Sequence, residues 1–410
     1  MAAPRKRVPH LIVGGGIGGI ATALALANAG LDSHVIERAE EFGEIGAGIQ
    51  LAPNALRVLD GLGVLDAVLA DAVRPPKAVM MDAVGGEPIT TLDFGPEFRE
   101  TFGYPYVVTH RSDLLDALLT GCRNHDRVTL ETSRHVTSVR GDGETAVATC
   151  ADGTTYETGA LIGADGIWSV VRGHTVGDGE PDYVGHVAYR GTIDIEAVSA
   201  HAGTGNVTWW VGPGIHLIQY PLRGGALFNQ VAVFEAERNG DPDGWGPPEE
   251  LERCFGDKTA HVRDGLRLIG RDRRWILRDR PPVERWTRGR ATLLGDAAHP
   301  MVQYLAQGAC MALEDAAVLA ECLAGHPADV DAAFAAYERE RLPRTATAQR
   351  WARRMGEIVH ADGITALLRD ALLARREDTD YGYVTWLYGY RREHPDNATS
   401  WMDAGGPVHA

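Results

Sequence analysis

LIVGGGIGGIATALALANAG, residues 11–30, runs from an apolar stretch through a cluster of glycines into a helix-forming segment. Leu11 to Val13 reads as the end of a strand, and Gly14, Gly16 and Gly19 form a G-x-G-x-x-G turn. Ile17 to Asn28 reads as a helix that stops at Gly30. The next apolar stretch, SHVIE, is a second strand whose last residue is Glu37. In this βαβ order the first glycine permits a tight turn and the second lets the backbone approach a pyrophosphate. The third lets helix and strand pack closely, and the acid reaches a ribose hydroxyl. The unit therefore predicts an adenine dinucleotide site and by itself does not separate FAD from NAD. The basic start MAAPRKR followed by apolar residues also has features of a secretory leader, but the glycine spacing favours strand, turn and helix.

Composition narrows the field. A chain of 410 residues with 44% hydrophobic residues can bury a large core, and its length predicts two or three domains. A net charge of −16 repels nucleic acid and anionic membranes, so neither is expected as a partner. Five cysteines without a C-x-x-C pair predict a reducing, cytoplasmic setting, and no metal site is expected because no cluster has ligand spacing.

Downstream, VVTHRSDLLDALLTGC (107–122) reads as a strand entering a helix, with Ser112 or Asp113 as N-cap and Arg111 just before it. ALIGADGIWSVVR (160–172) is a buried strand ending at Asp165-Gly166, and ATLLGDAAHP (291–300) is another ending at Gly295-Asp296. Two strands stopping at carboxylates point to one ligand gathered from distant parts of the chain, although an Asp after a strand also serves as a turn former or helix cap. GACMALEDAAVLAECLAG (308–325) has helical spacing, with its N-terminal amides near Gly308 and Ala309 aimed at a ligand and with Glu314 and Asp315 suited to the positive dipole end. Residues 177–274 alternate as antiparallel strands: HVAYRGTIDI, NVTWWV, IHLIQYPLRGG and LFNQVAVFE. In IHLIQYP, His216, Ile218 and Tyr220 share one face and Leu217 and Gln219 the other. Taken alone, His216 is more often an exposed or satisfied strand residue than a pocket residue.

The run GGGIGG, HRSDLL, GADGIWS, GDAAHP resembles the single-component flavoprotein aromatic hydroxylases, whose FAD-binding fold is that of p-hydroxybenzoate hydroxylase, and the resemblance covers nearly the whole chain. It implies an α/β, Rossmann-like FAD-binding domain from residues 1–75, 105–176 and 275–350. A β-sheet substrate domain would take 76–104 and 177–274, and a C-terminal helical segment 351–410. It implies FAD held by Gly14, Gly16 and Gly19, with Glu37 on the adenosine ribose and Arg38 and Arg111 along the cofactor. Asp165 would serve both FAD and NAD(P)H, Gly295, Asp296 and Pro300 would lie at the ribityl chain, and Gly308 and Ala309 at the flavin. NADH, in preference to NADPH, is the transient reductant it implies, with O2 and a small aromatic acid as substrates and a homodimer as the assembly.

The pieces GYPYVVTHRSDLL, IHLIQYPLRGG and GDAAHPMVQYLAQGA resemble the 3-hydroxybenzoate 6-hydroxylase subgroup more than the salicylate hydroxylases. In that subgroup a histidine and a glutamine meet the phenol; by position these are His216 and Gln303, with Tyr220 beside them. The 6-hydroxynicotinate 3-monooxygenases carry residues resembling His216 and Tyr220, so the pair implies a hydroxylated aromatic acid. His299, beside the flavin motif, is expected to be structural or flavin-adjacent. A phenol of pKa about 10 is mostly neutral at pH 7, and electrophilic oxygen needs an electron-rich ring, so a neutral imidazole within reach is the expected base. The implied cycle passes a hydride from NADH to FAD and forms a flavin C4a-hydroperoxide with O2. Transfer of its oxygen para to the phenolate would turn 3-hydroxybenzoate into 2,5-dihydroxybenzoate. The carboxylate partner is left between Arg190 and Arg223.

Other classes share the FAD segments. An oxidase, a dehydrogenase or a halogenase would carry them, but the halogenase W-x-W-x-x-I-P motif is missing; a non-catalytic flavin redox sensor would need an effector segment. At the end of the chain, 353–376 reads as helical and DTDYGYVTWLYGY (378–390) as irregular, its aromatics either supporting a dimer or covering the substrate domain.

Overall fold

The computed structural model describes residues 5–43, 47–141, 143–198, 205–236, 249–271 and 273–391. The strand Arg5–Val13 sits in the middle of a seven-stranded sheet, paired in parallel with Ser33–Ile36 on one side and Thr155–Gly163 on the other. Val128–Glu131 extends the first edge, and Ala291–Leu293 pairs with the end of Thr155–Gly163. From Arg5 onward the N-terminal stretch is thus a central strand, buried at Leu11, Ile12 and Val13. Parallel strands are covered on both faces, which explains why LIV, ALIG and ATLL are continuous apolar runs. The helix Ile17–Asn28 packs against the helix Gly308–Gly325, and both are buried on most sides.

A second seven-stranded sheet runs in the order Trp275–Asp279, Asp182–Asp194, Leu227–Glu235, Ile215–Leu222, Val207–Gly212, Lys77–Asp82, Pro88–Asp93. Trp275–Asp279 lies in the stretch assigned by sequence to the cofactor domain, yet it pairs antiparallel with Asp182–Asp194. Its Trp275 ring takes the guanidinium groups of Arg190 and Arg273 at 3.8 and 4.0 Å, which anchors it there. One face of this sheet is covered by the helices Glu249–Phe255 and Ala260–Arg267, which the strand-like alternation of 177–274 concealed. Leu251, Phe255, Val262 and Leu266, spaced four apart within each helix, fill the contact.

The expected caps on the helix Arg111–Arg123 are not formed: the helix starts at Arg111 after His110, and no side chain caps it. Asp113 instead accepts from Arg223 Nη2 at 2.7 Å and Nε at 3.0 Å. Glu314 and Asp315 also differ from expectation. They lie beyond the first turn of Gly308–Gly325, fully buried, and bind Arg341 and Arg344 rather than the helix dipole.

The helix Val330–Val359 runs through the sequence boundary at 350, followed by the helix Gly363–Leu373. Gly382–Tyr388 is helical where irregular chain was expected. Its Trp386 and Tyr388 are buried, with Tyr388 near Phe98, Phe102 and Tyr106, so these two pack inward rather than offering a dimer face. Residues 392–410 lie outside the described residues.

Candidate active site

Between the two sheets lies a cavity of 940 Å³. One wall is a single register row of the second sheet. Arg190 faces Val231, Val231 faces Ile218, Ile218 faces Trp209, Trp209 faces Met80, and all five line the cavity. His216 and Tyr220, flanking Ile218, line it too, as the two-residue alternation predicts. Leu217 and Gln219 point to the helix-covered face, where Gln219 bonds Trp210 and Gln230.

The opposite wall comes from the cofactor domain: Gly16, Gly18, Arg111, Ala164, Gly166, Gly295, Asp296, Gln303, Gly308 and Ala309. Gly14 and Gly19 shape the turn without lining this cavity. Gly14 has φ +113°, and a Cβ there would overlap the backbone of Ala164; one at Gly19 would overlap the carbonyl of Gly14. Only glycine permits that turn. Gly48 is a second close approach, since a Cβ would lie 2.7 Å from the Tyr220 hydroxyl, and its N–H donates to Asn229 Oδ1 at 2.9 Å.

The remaining sequence-chosen residues lie elsewhere. Glu37 sits outside the cavity, where its carboxylate accepts from the N–H groups of Gly15 (2.7 Å) and Ala39 (2.9 Å) and so organises the glycine turn. Arg38 is exposed. Asp165 accepts from the Ser169 hydroxyl and from Val170 N–H at 2.8 Å, which makes it the anchor of the helix Val170–Thr175. Pro300 is buried, and its carbonyl accepts from Gln349. His299 is buried against Asp315 at 2.6 Å, away from the cavity, as a structural residue would be. Arg223 is engaged by Asp113 outside the cavity, whereas Arg190 lines it.

Asp296 follows the strand Ala291–Leu293 and is open to the cavity, yet it is set deep in the molecule. Burial raises its carboxyl above the usual range, and His299 and Arg111 pull it back. The helix Gly308–Gly325 begins beside it, with no side chain capping its first turn. Gln307, just before that helix, accepts from Asn54 at 3.0 Å, and Asn54 also donates to Glu314 at 2.7 Å. The helix start is thus tied to the buried ion network. Neither Asn54 nor Gln307 stands in a motif that sequence reasoning could isolate.

Gln303 is exposed to the cavity on a short 3-10 turn, Gln303–Leu305, that closes with Ala306 at φ +52°. A non-glycine residue in the left-handed region is strained, so packing must hold this turn. Its middle residue, Tyr304, meets the His216 ring edge-on at 5.3 Å between centroids. His216 is 2% exposed, and burial, with His360 and His186 nearby, holds its pKa well below the usual value, so the ring is neutral. Burial likewise raises the Tyr220 phenol, which stays protonated.

A family model described as an FAD binding domain matches residues 7–352. The chain belongs to the FAD-dependent aromatic hydroxylases. It is 41% identical to 3-hydroxybenzoate 6-hydroxylase of Polaromonas naphthalenivorans over 388 residues, 93% of this chain and 96% of the relative. It is 41% identical to the enzyme of the same name from Klebsiella oxytoca over 394 residues, 95% and 98% of the two chains. Among solved structures, Klebsiella pneumoniae HpxO complexed with FAD and uric acid superposes with a TM-score of 0.81 at 26% identity, covering 93% of this chain and 96% of that one.

FAD fits the hydroxylase cavity on its own geometry. The glycines at 16, 18, 295 and 308 let a planar ligand approach the backbone, the uncapped start of the helix Gly308–Gly325 lines the cavity, and Asp296 would offer an acceptor to ribityl hydroxyls. Replacing Asp296 with alanine is expected to release FAD during purification while the fold persists. Flavin absorbance per protein checks this, and a fully yellow variant would remove Asp296 from cofactor binding.

Proposed function

We propose that this hydroxylase converts 3-hydroxybenzoate to 2,5-dihydroxybenzoate, with NADH as reductant and O2 as oxidant. The carrying observation is a neutral, buried imidazole and a cavity-facing amide, His216 and Gln303, in one cavity with a cation, Arg190, on the same sheet face. FAD, when bound, supplies the activated oxygen. His216 accepts the phenol proton and leaves an electron-rich ring. Gln303 bonds the phenolic oxygen, and Tyr220, protonated throughout, donates from beside it. Arg190 stands in the register row of Ile218, two strands away, roughly 10 Å between backbones. Side chains of His and Arg bring that span down to one benzene ring, so Arg190 takes the carboxylate. Charge from the phenolate reaches the carbon para to it, which in this acid is C6. The apolar wall of Met80, Trp209, Ile218 and Val231 keeps water from the reacting atoms.

Arg190→Met is expected to raise KM for 3-hydroxybenzoate about 10-fold or more, the scale of one charge-assisted hydrogen bond, with a smaller change in kcat. Steady-state kinetics at saturating NADH reads this; an unchanged KM would move the carboxylate site elsewhere. The substrate itself is tested by comparing NADH oxidation with 3-hydroxybenzoate, salicylate and 6-hydroxynicotinate. Among the described residues no helix is long and apolar enough to cross a membrane. The enzyme works in the cytoplasm, in keeping with five free cysteines, and as a homodimer. Exposed Ile364, Leu367, Leu368 and Leu372, on one face of Gly363–Leu373, are the surface that supports a dimer. Light scattering that returns a monomer mass would contradict that assembly.

A further inference from the structure

His216 does not stand alone. Its Nδ1 and the Nε2 of His360 share a hydrogen bond of 2.7 Å, and the two rings stack at 4.9 Å with 20° between planes. The His186 ring lies 4.5 Å from that of His360. The three imidazoles come from separate elements: the strand Ile215–Leu222, the residue that ends the helix Val330–Val359, and the strand Asp182–Asp194. They grade from buried, at His216 and His360, to partly accessible, at His186. Among the described residues no group of three or more His, Cys, Asp or Glu side chains is placed to hold a metal ion, so the cluster is not a ligand set.

One carbonyl sets the tautomer of His186. His186 Nδ1 lies 3.1 Å from Val184 O; a carbonyl only accepts, so Nδ1 carries the hydrogen and Nε2 the lone pair. His360 Nδ1 and His186 Nε2 are both buried without a hydrogen-bond partner, so they do not bond to each other in this structure. A base toward the phenol needs its lone pair on His216 Nε2, which leaves His216 Nδ1 to donate to His360 Nε2 and puts the hydrogen of His360 on Nδ1. The lone pair of His216 then lies on Nε2, the nitrogen left for the cavity. Each ring is an acceptor toward the substrate and a donor away from it.

We propose that His216, His360 and His186 form a proton relay that carries the phenolic proton of the substrate out of the cavity. The phenol O–H bond breaks and its proton joins His216 Nε2, while Nδ1 of His216 passes its own to Nε2 of His360. Nδ1 of His360 in turn passes its proton to Nε2 of His186, whose ring centre lies 4.5 Å away, when the two rings turn into a hydrogen bond. His216 and His360 end neutral, and the positive charge appears on His186. Burial lowers the pKa of His186 too, and exposed Glu235, opposite it across the strand pair, only partly offsets this, so the partly accessible ring gives a proton up to water. Reprotonation of the product phenolate by the reverse route restores the tautomers.

Burial requires such a route. Desolvation pushes His360 down to about 3 and His216 well below the usual value, and the charged or titratable groups that bear on them are His360 and His186 for the first ring and His186 for the second. Tyr304 and Trp209 pack against the cluster without supplying a negative charge. A proton resting on His216 would be a buried cation with no counter-ion. Tautomer exchange avoids that state.

The test uses the flavin-loaded enzyme with His360→Gln, which can still hydrogen bond to His216 but cannot exchange protons between two ring nitrogens. Flavin content and the Kd for 3-hydroxybenzoate are expected to match wild type, and turnover to fall about 10-fold or more. That deficit should shrink as pH rises, and shrink again with a ring-fluorinated 3-hydroxybenzoate whose phenol is more acidic. A packing defect would slow both substrates alike; an equal deficit for both, or none, overturns the relay. Should His360→Gln lose flavin, the partly accessible His186→Gln is read by the same two comparisons. The inference rests on the cavity taking a phenolic acid, so wild type is assayed first: failure to hydroxylate either compound refutes the substrate, not the relay. The relay is then judged by proton release to a pH indicator when wild type binds the phenolic acid that it does hydroxylate, and no release overturns it.

Discussion

Turnover of 3-hydroxybenzoate by His216→Ala is expected to fall about 10²-fold, the scale of a lost general base, with FAD still bound. The flavin should remain because His216 belongs to the substrate-sheet wall, while the glycine turn, Asp296 and the Gly308–Gly325 helix start make the opposite wall. Stopped-flow kinetics separate the steps: reduction of FAD should change less than product formation, since the base acts on the ring that receives oxygen. The pH profile carries a second mark. A lowered pKa means that His216 is the free base at any pH above that value, which lies well below 6.5. Wild-type kcat/KM should therefore show no loss near pH 6.5 from protonation of this imidazole. Unchanged turnover in His216→Ala would take the residue out of the mechanism.

Arg341→Met is expected to destabilise the protein by about 3–5 kcal/mol, the cost of removing one partner from a buried ionic cluster. Arg341 Nε and Nη1 bond Asp315 and Glu314, each at 2.7 Å, and all three side chains are inaccessible or nearly so. Arg344 remains on Glu314, but Asp315 keeps only His299 and the N–H of Gly295. Burial alone would raise the Asp315 carboxyl; His299 and Arg341 hold it down at about 2. Because Asp315 positions Gly295, next to Asp296, flavin content should fall together with the urea midpoint. A midpoint within 1 kcal/mol of wild type, on the scale of an exposed ion pair, would mean that water reaches the cluster.

The glycine turn was legible because its glycines fall in one short run with a fixed spacing, although only Gly19 is required by a local atom, the carbonyl of Gly14, while Gly14 makes room for the distant backbone of Ala164. His216 and Tyr220 were legible from alternation, which fixes the face of a strand. Which carboxylate meets a ligand was not. Asp165 and Asp296 each follow a strand, and only the fold distinguishes the helix anchor from the group open to the cavity. Arg190 and Arg223 were equivalent in sequence until pairing with Asp113 took one away. His360 had no signal at all, since its contact with His216 joins positions 144 apart through the end of a long helix. Trp275–Asp279 was misplaced because WILRD has weak alternation and its partner strand lies far earlier in the chain.

Substrate-stimulated NADH oxidation by the purified yellow protein, with product identification and peroxide measurement, tests the central claim most directly. The account predicts one 2,5-dihydroxybenzoate per NADH from 3-hydroxybenzoate, with little peroxide. Peroxide alone would make that acid a mimic and contradict the substrate assignment, and no stimulation by it, by salicylate or by 6-hydroxynicotinate would contradict the hydroxylase chemistry assigned to this cavity.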